Sequence, residues 1–160
     1  MGANRRVVQR GLYFDEIEEG ATYVHAPGRT VTEADNVLFT TLTMNTQSLH
    51  LDAAWSERTE FGERLMNSMF TLSLLVGLSV AQLTQGTIVA NLGLTDIAFP
   101  LPVRAGDTLY AETLVSAKRL STSRPGQGIV TFLHTMRNHH ADAVATARRT
   151  ALVLLSGSIK

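Results

Sequence analysis

Hydrophobic and polar positions along the 160-residue chain change period about halfway. Residues 23–31 read as a strand, weakened at Pro27-Gly28. Thr32 then stands where a helix needs an N-cap, with Asp35 three residues on, where a capping box ordinarily has Glu or Gln. The helix it opens carries Val37, Leu38, Thr41 and Leu42 on one side and runs out near residues 43–45. Residues 46–51 predict a loop or a short extended piece. Asp52 before Ala53-Ala54-Trp55 predicts a second N-cap and a short helix. The long helix comes next, over residues 67–83, with Met69, Leu72, Leu75, Val76, Leu78 and Val80 covering more than one face. Such a helix belongs in a core. Its small residues Ser73, Gly77 and Ala81 recur at spacing four, a stripe that would let a flat partner approach closely.

From residue 87 the period shortens to that of strands: 87–99, 107–120, 128–138 and 143–155. Val130, Phe132 and Met136 alternate with Thr131, Thr135 and Arg137, and the last strand puts Ala143, Ala145, Ala147 and Ala151 on one side. His139-His140-Ala141-Asp142 supplies the turn between the last two strands. The order predicts an α+β fold in one domain, a long helix gripped by an antiparallel sheet. Residues 1–10, with Arg5, Arg6 and Arg10, are expected to form a flexible arm ahead of a domain over 11–160. Exposed sheet edges favour pairing, so a homodimer is expected.

Composition narrows the chemistry. Apolar residues make up 44% and aromatics 6%, so the core is aliphatic. Fourteen basic residues balance fourteen acidic ones with no basic run, which removes the electrostatic footprint of a nucleic-acid binder. The chain has no cysteine, and so no thiolate nucleophile and no cysteine metal site. The most apolar stretch, residues 65–83, is broken by Asn67, Ser68, Thr71, Ser73, Ser79 and Gln82, so no membrane span is expected. No signal peptide is apparent, and a soluble, cytoplasmic protein is expected. His50 and Asp52 lack a third ligand nearby and make a poor metal site, and no phosphate-binding glycine loop is present. No metal and no cofactor are expected.

Three segments carry a family resemblance. Residues 28–35 read GRTVTEAD, residues 39–52 read FTTLTMNTQSLHLD, and residues 99–109 read FPLPVRAGDTL. Together they resemble the MaoC-like acyl-CoA hydratases of the hot-dog fold, whose motifs are Gly-Asp-x-Asn-Pro-x-His and Phe-x-x-Pro-Val-x-x-Gly-Asp-x-Leu. Here the motif histidine is His50, Asn45 stands where the family has Asp, and Gln47 and Ser48 replace Asn and Pro. The likeness covers roughly residues 12–155. It implies addition or removal of water across the double bond of a short-chain enoyl-CoA. Narrower likeness to the mesaconyl-CoA and itaconyl-CoA hydratase branch would make that substrate branched and dicarboxylic. Homodimers are implied, and assemblies of dimers are common in the family.

The resemblance also assigns roles. His50 is the acid/base, because an imidazole exchanges protons near neutral pH. Asn45 offers an acceptor and a donor but stores no proton, so it positions water. Asp35, Asp52 or Glu57 could supply the missing carboxylate, or the site could bind acyl-CoA without turnover. The thioester oxygen belongs at the start of the long helix, at Asn67 and Ser68, where the family usually has Gly in place of Ser68. Gln47 joins the substrate-binding candidates. Arg29, Arg64 and Arg104 are candidates for a second substrate carboxylate. His25 and His134 read as packing residues on strands. A hot-dog thioesterase is a weaker alternative.

Overall fold

The computed structural model describes residues 6–158. The expected N-terminal arm therefore lies partly, at residues 1–5, outside the described residues. Nine elements follow in the order β1 (Thr22–Thr30), α1 (Glu33–Leu42), α2 (Ser48–Leu51), α3 (Ala53–Ser56), α4 (Ser68–Leu83), β2 (Ile88–Ala98), β3 (Thr108–Leu120), β4 (Gln127–Arg137) and β5 (Ala143–Leu154). The strands form one antiparallel sheet in the order β1-β3-β4-β5-β2, and α4 lies against one face of it. This is the α+β arrangement the sequence predicts.

Alternation along the strands sets the inner face. On β4, Val130, Phe132, His134 and Met136 are buried, while Thr131, Leu133 and Thr135 are half-buried. Ala145, Ala147 and Ala151 of β5 are buried beneath the helix, as their size predicts. The chain between residues 11 and 17 closes one end. Gly11 N–H donates to Gln85 O at 2.8 Å, Phe14 N–H to Leu154 O at 2.8 Å, and Phe14 lies over Gly128. A Cβ at Gly128 would stand 2.1 Å from that ring, so the close approach requires glycine.

Three local expectations change. Residues 48–51 form a helical turn, α2, where the sequence predicts a loop or an extended piece. The cause lies upstream, at the end of α1. Met44 takes a left-handed conformation (φ 54°), its N–H reaches Thr41 O, and Asn45 N–H reaches Thr40 O, both within 3.1 Å. That pairing is a Schellman cap, which reverses the chain and starts it into the next turn.

The apolar side of α1 points outward: Val37, Leu38 and Leu42 are exposed, while Asn36 and Thr40 are buried. Backbone groups under the helix need polar partners, and that need outweighs burial of the aliphatic side. The capping box at Thr32 and Asp35 forms despite the shorter acid.

The small stripe of α4 also faces away from the sheet. Leu72, Leu75, Ser79 and Leu83 turn inward, while Ser73, Gly77 and Ala81 are exposed on the single chain.

A line of polar side chains divides the core. One aliphatic cluster gathers around Met66, Leu75, Leu109 and Met136, and the other around Phe14, Leu83, Val130 and Phe132. Between them His25 of β1, Thr113 of β3 and His134 of β4 are all at most 3% exposed. His25 Nδ1 donates to Gln82 Oε1 at 2.7 Å, and Thr113 Oγ1 joins His25 Nε2 at 2.7 Å and His134 Nδ1 at 2.8 Å. With the Gln82 oxygen facing His25, one direction of donation runs through the set. Thr113 donates to His25 Nε2 and accepts from His134 Nδ1–H. Both imidazoles are then neutral, and His134 Nε2 keeps a buried lone pair. Arg149 of β5 sits diagonally from His134, which pairs with Ala147, and its guanidinium donates to Asn91 at 2.9 Å.

Burial pushes the His25 and His134 pKa values down, His134 to about 3, with the Arg149 charge and His25 lowering it further. An unfolded histidine titrates near 6.5, so below that pH the unfolded chain takes up protons that the folded chain refuses. Stability contributed by these groups is complete above about pH 6.5 and falls as pH drops toward the folded value. For His134 the expected loss is roughly 1.4 kcal/mol per pH unit, and His25 adds to it in the same direction. Urea denaturation at pH 7 and pH 5, above the carboxylate range, measures it. His134→Gln is expected to flatten the dependence, and an unchanged slope would remove the line of neutral imidazoles as its source.

Candidate active site

The Schellman cap delivers the chain at Asn45 to the rim of a cavity. Asn45 Oδ1 accepts the Gln47 N–H at 3.0 Å, a short side-chain turn that aims α2 across the start of α4. The cavity is about 460 Å³ and lies between α2, residues 61–66, the first turn of α4 and the 99–103 turn. Leu49, Phe61, Leu65, Met66, Phe99 and Val103 are among its apolar walls. Gln47, His50, Ser68 and Thr71 are its polar members.

His50 is half-buried on α2. Its Nδ1 lies 2.9 Å from Leu65 O, and a carbonyl only accepts, so Nδ1 carries the proton. Nε2 is left with its lone pair, on a residue that borders the cavity. That is the protonation state a base requires.

Leu65 is itself held, because its N–H donates to Leu49 O at 3.1 Å. Asn36, 2% exposed, closes the joint from below. Its Nδ2 donates to His50 O and Leu65 O, each at 3.1 Å, and its Oδ1 accepts the Asn67 N–H at 2.9 Å.

At the start of α4 the first N–H groups divide among different partners. Asn67 N–H goes to Asn36, Met69 N–H goes to the Asn67 side chain at 2.9 Å, and Thr71 N–H goes to Asn67 O. Ser68 N–H has no hydrogen-bond partner among the described residues, and Ser68 borders the cavity. An amide N–H at the positive end of a 16-residue helix suits a developing oxyanion.

The structure thus brings His50, Gln47 and Ser68 to one cavity, with Asn67 buried behind Ser68 as the cap. Asn45 stands outside the lining, with its side-chain oxygen bound to Gln47 N–H. The arginines are also outside it. Arg29 pairs with Asp35, Arg64 with Glu33 at 2.6 Å, and Arg104 with Glu63 at 2.6 Å. Asp35 is a capping residue: burial opposes its charge, but Thr32 and Arg29 more than offset that and hold its carboxyl below the usual range. Asp52 caps α3 through Trp55 N–H, and neither Asp52 nor Glu57 lines the cavity.

Phe61 and Thr71 in the lining, and Asn36 beneath it, are residues the sequence does not single out for the site. A signal for Asn36 exists, since Asn36 and Thr40 make a polar pair at helical spacing. No set of three metal-ligating side chains gathers among the described residues, and among them no helix is long and apolar enough to cross a membrane.

Comparison with known proteins identifies the family and the fold. Residues 16–138 match the family model described as the MaoC like domain. A mesaconyl-CoA hydratase of Haloarcula marismortui is 28% identical over 148 residues, which cover 91% of this chain and 40% of that one. An (R)-specific enoyl-CoA hydratase of Rhodospirillum rubrum is 31% identical over 105 residues, 65% of this chain and 69% of that one. The chain spans well under half of the first curated relatives it matches, 33% of a Klebsiella aerogenes protein MaoC among them.

Among solved structures, a monoamine oxidase regulatory protein of Archaeoglobus superposes with a TM-score of 0.82 at 29% identity, over 94% of this chain and 99% of that one. A Mycobacterium tuberculosis protein described as a double hot-dog fold superposes at 0.83 and 25% identity, over 94% of this chain and 46% of that one. The helix wrapped by its sheet is accordingly a hot-dog fold, and the chain belongs to the MaoC-like domain family.

Proposed function

We propose that the protein is an enoyl-CoA hydratase or 3-hydroxyacyl-CoA dehydratase that uses the cavity at α2 and α4. The observation that carries this reading is that one cavity is bordered both by His50, whose Nδ1 is bound to Leu65 O, and by Ser68, whose N–H has no partner among the described residues. In the hydration direction, Nε2 takes a proton from water as the water oxygen bonds to the β-carbon. The π electrons of the double bond move toward the thioester oxygen, which Ser68 N–H stabilises. The imidazolium then returns the proton to the α-carbon, so that one water is added and His50 is regenerated. A positioned acid/base contributes about 10²–10⁴-fold, and one oxyanion donor about 10²–10³-fold.

Asn45 acts in this reading by setting the path of Gln47, whose amide reaches the cavity and orients the water. A short, uncharged acyl chain suits the apolar walls. Likeness to the mesaconyl-CoA hydratase across 91% of this chain supports the branched, dicarboxylic alternative. Its second carboxylate would meet neutral donors from Gln47, Ser68 and Thr71, since Arg29, Arg64 and Arg104 are each paired elsewhere. An acyl-CoA substrate would place the enzyme in the cytoplasm.

The assembly is proposed to be a homodimer. β2 is a sheet edge carrying exposed Val89, Leu92 and Ile97, and the double hot-dog neighbour has a chain about twice as long as its match to this one. A second copy would take the place of that neighbour's other half. Sedimentation at the mass of one chain would remove the dimer.

Loss of the conjugated thioester absorbance with crotonyl-CoA, mesaconyl-CoA and itaconyl-CoA tests the activity. His50→Ala is expected to lower kcat by about 10²–10⁴-fold. Equal behaviour of the wild type and His50→Ala on every substrate would contradict the hydratase. Tight binding of the esters without turnover would leave a non-catalytic acyl-CoA-binding protein, and release of free CoA would point to a thioesterase.

A further inference from the structure

We infer that Asn36 is the positioning residue of this site: it selects the tautomer of His50 and aligns His50 with the amide that receives the thioester oxygen. The kinetic part of this inference rests on the reading of His50 as the acid/base.

Asn36 has two N–H donors and a carbonyl acceptor, and in this structure all are used on backbone groups. One donor goes to the carbonyl of His50 itself. The second goes to Leu65 O, the same carbonyl that accepts His50 Nδ1–H. That oxygen has two lone pairs, so two N–H groups at 3.1 and 2.9 Å fill it. Asn36 thereby holds in place the group on which the imidazole ring is hung. If the Leu65 carbonyl turned away, nothing shown in the structure would keep the proton on Nδ1. The ring would be free to place it on Nε2, where a base needs a lone pair.

The acceptor end of Asn36 works on the other half of the site. By taking the Asn67 N–H at 2.9 Å it fixes the residue that caps α4, and the cap side chain in turn takes Met69 N–H. Ser68 N–H, between the two, remains available to the cavity. A single side chain therefore spans the acid/base and the oxyanion donor, and a change in its shape alters their relative position. Asn36 is 2% exposed and does not line the cavity, so it touches no substrate.

The same position could have served packing alone. A leucine or valine facing inward would give α1 a simpler core contact than a buried amide, which is costly unless every bond is made. Here both donors and the acceptor are used, on His50 of α2, on Leu65, whose carbonyl holds the His50 ring, and on Asn67, the cap of α4.

The test reads the tautomer and the kinetics together. In ¹⁵N–¹H spectra recorded above pH 7.5, with His50 assigned by comparison with His50→Gln, the wild-type ring is expected to carry its proton on Nδ1. Asn36→Ala is expected to shift His50 toward the Nε2–H form and to lower kcat by about 10²-fold, the scale of an ångström of misplacement, with KM changed less than about threefold. Asn36→Asp keeps the acceptor for Asn67 but loses both donors and adds a charge. It is expected to lower kcat as well and to raise the pH at which the acid limb of the profile falls, because a nearby anion favours the imidazolium.

Should Asn36→Ala not fold, Asn36→Asp decides. A wild-type His50 protonated on Nε2, or a folded variant with the wild-type tautomer and kcat, overturns the inference. Should the wild type turn over no enoyl-CoA, the hydratase reading fails while the tautomer measurements still decide the role of Asn36.

Discussion

Where α1, α2 and the start of α4 meet, buried backbone N–H and C=O groups have to be satisfied without water, and that requirement shapes the end of the molecule that carries the cavity. Such groups cost free energy comparable to a lost hydrogen bond when left alone, commonly about 1–3 kcal/mol each. The chain meets the requirement with Asn36, Asn67 and His50 in place of regular secondary structure. Helix α1 consequently presents its polar stripe inward and leaves Val37, Leu38 and Leu42 outside. The same bonds shape the cavity's border: they tie His50 Nδ1 to Leu65 O and leave Ser68 N–H without a partner among the described residues.

The rest of the fold supports that joint from a distance. Two aliphatic clusters hold α4 on the sheet, and the polar line through His25, Thr113 and His134 lies between them. A line of hydrogen bonds inside a core is demanding, because each group excluded from water needs its partner, and for the same reason it admits few alternative packings. The two clusters differ in what they serve. The one around Met66, Leu75 and Val103 adjoins the cavity, so packing at Met66 and Val103 bears directly on the walls of the site. The one around Phe14 and Phe132 closes the opposite end of the sheet with residues 11–17.

Much of this was legible in the sequence, and the parts that were not have physical reasons. The strands, the long helix and the caps at Thr32 and Asp52 follow from period and capping residues, which act locally. The family resemblance singles out His50 and Ser68, and both line the one cavity. The direction in which α1 faces was not legible, because an aliphatic stripe ordinarily turns inward and only the neighbouring backbone shows why this one does not. For the same reason Asn36 went unnoticed, since its three partners are 14, 29 and 31 residues away. Arg29, Arg64 and Arg104 are candidates only because the resemblance implies a substrate carboxylate, and the alternative reading of each as a surface ion-pair partner is the one the structure shows. Their carboxylate partners, Asp35, Glu33 and Glu63, become visible only in three dimensions.

A crystal structure of the His50→Gln protein with a saturated short-chain acyl-CoA tests the central claim most directly, since such a thioester cannot react. The account predicts the thioester oxygen about 2.7–3.1 Å from Ser68 N, with the β-carbon facing residue 50 across the cavity. An acyl group seated elsewhere, or a thioester oxygen held by groups other than the start of α4, would contradict it.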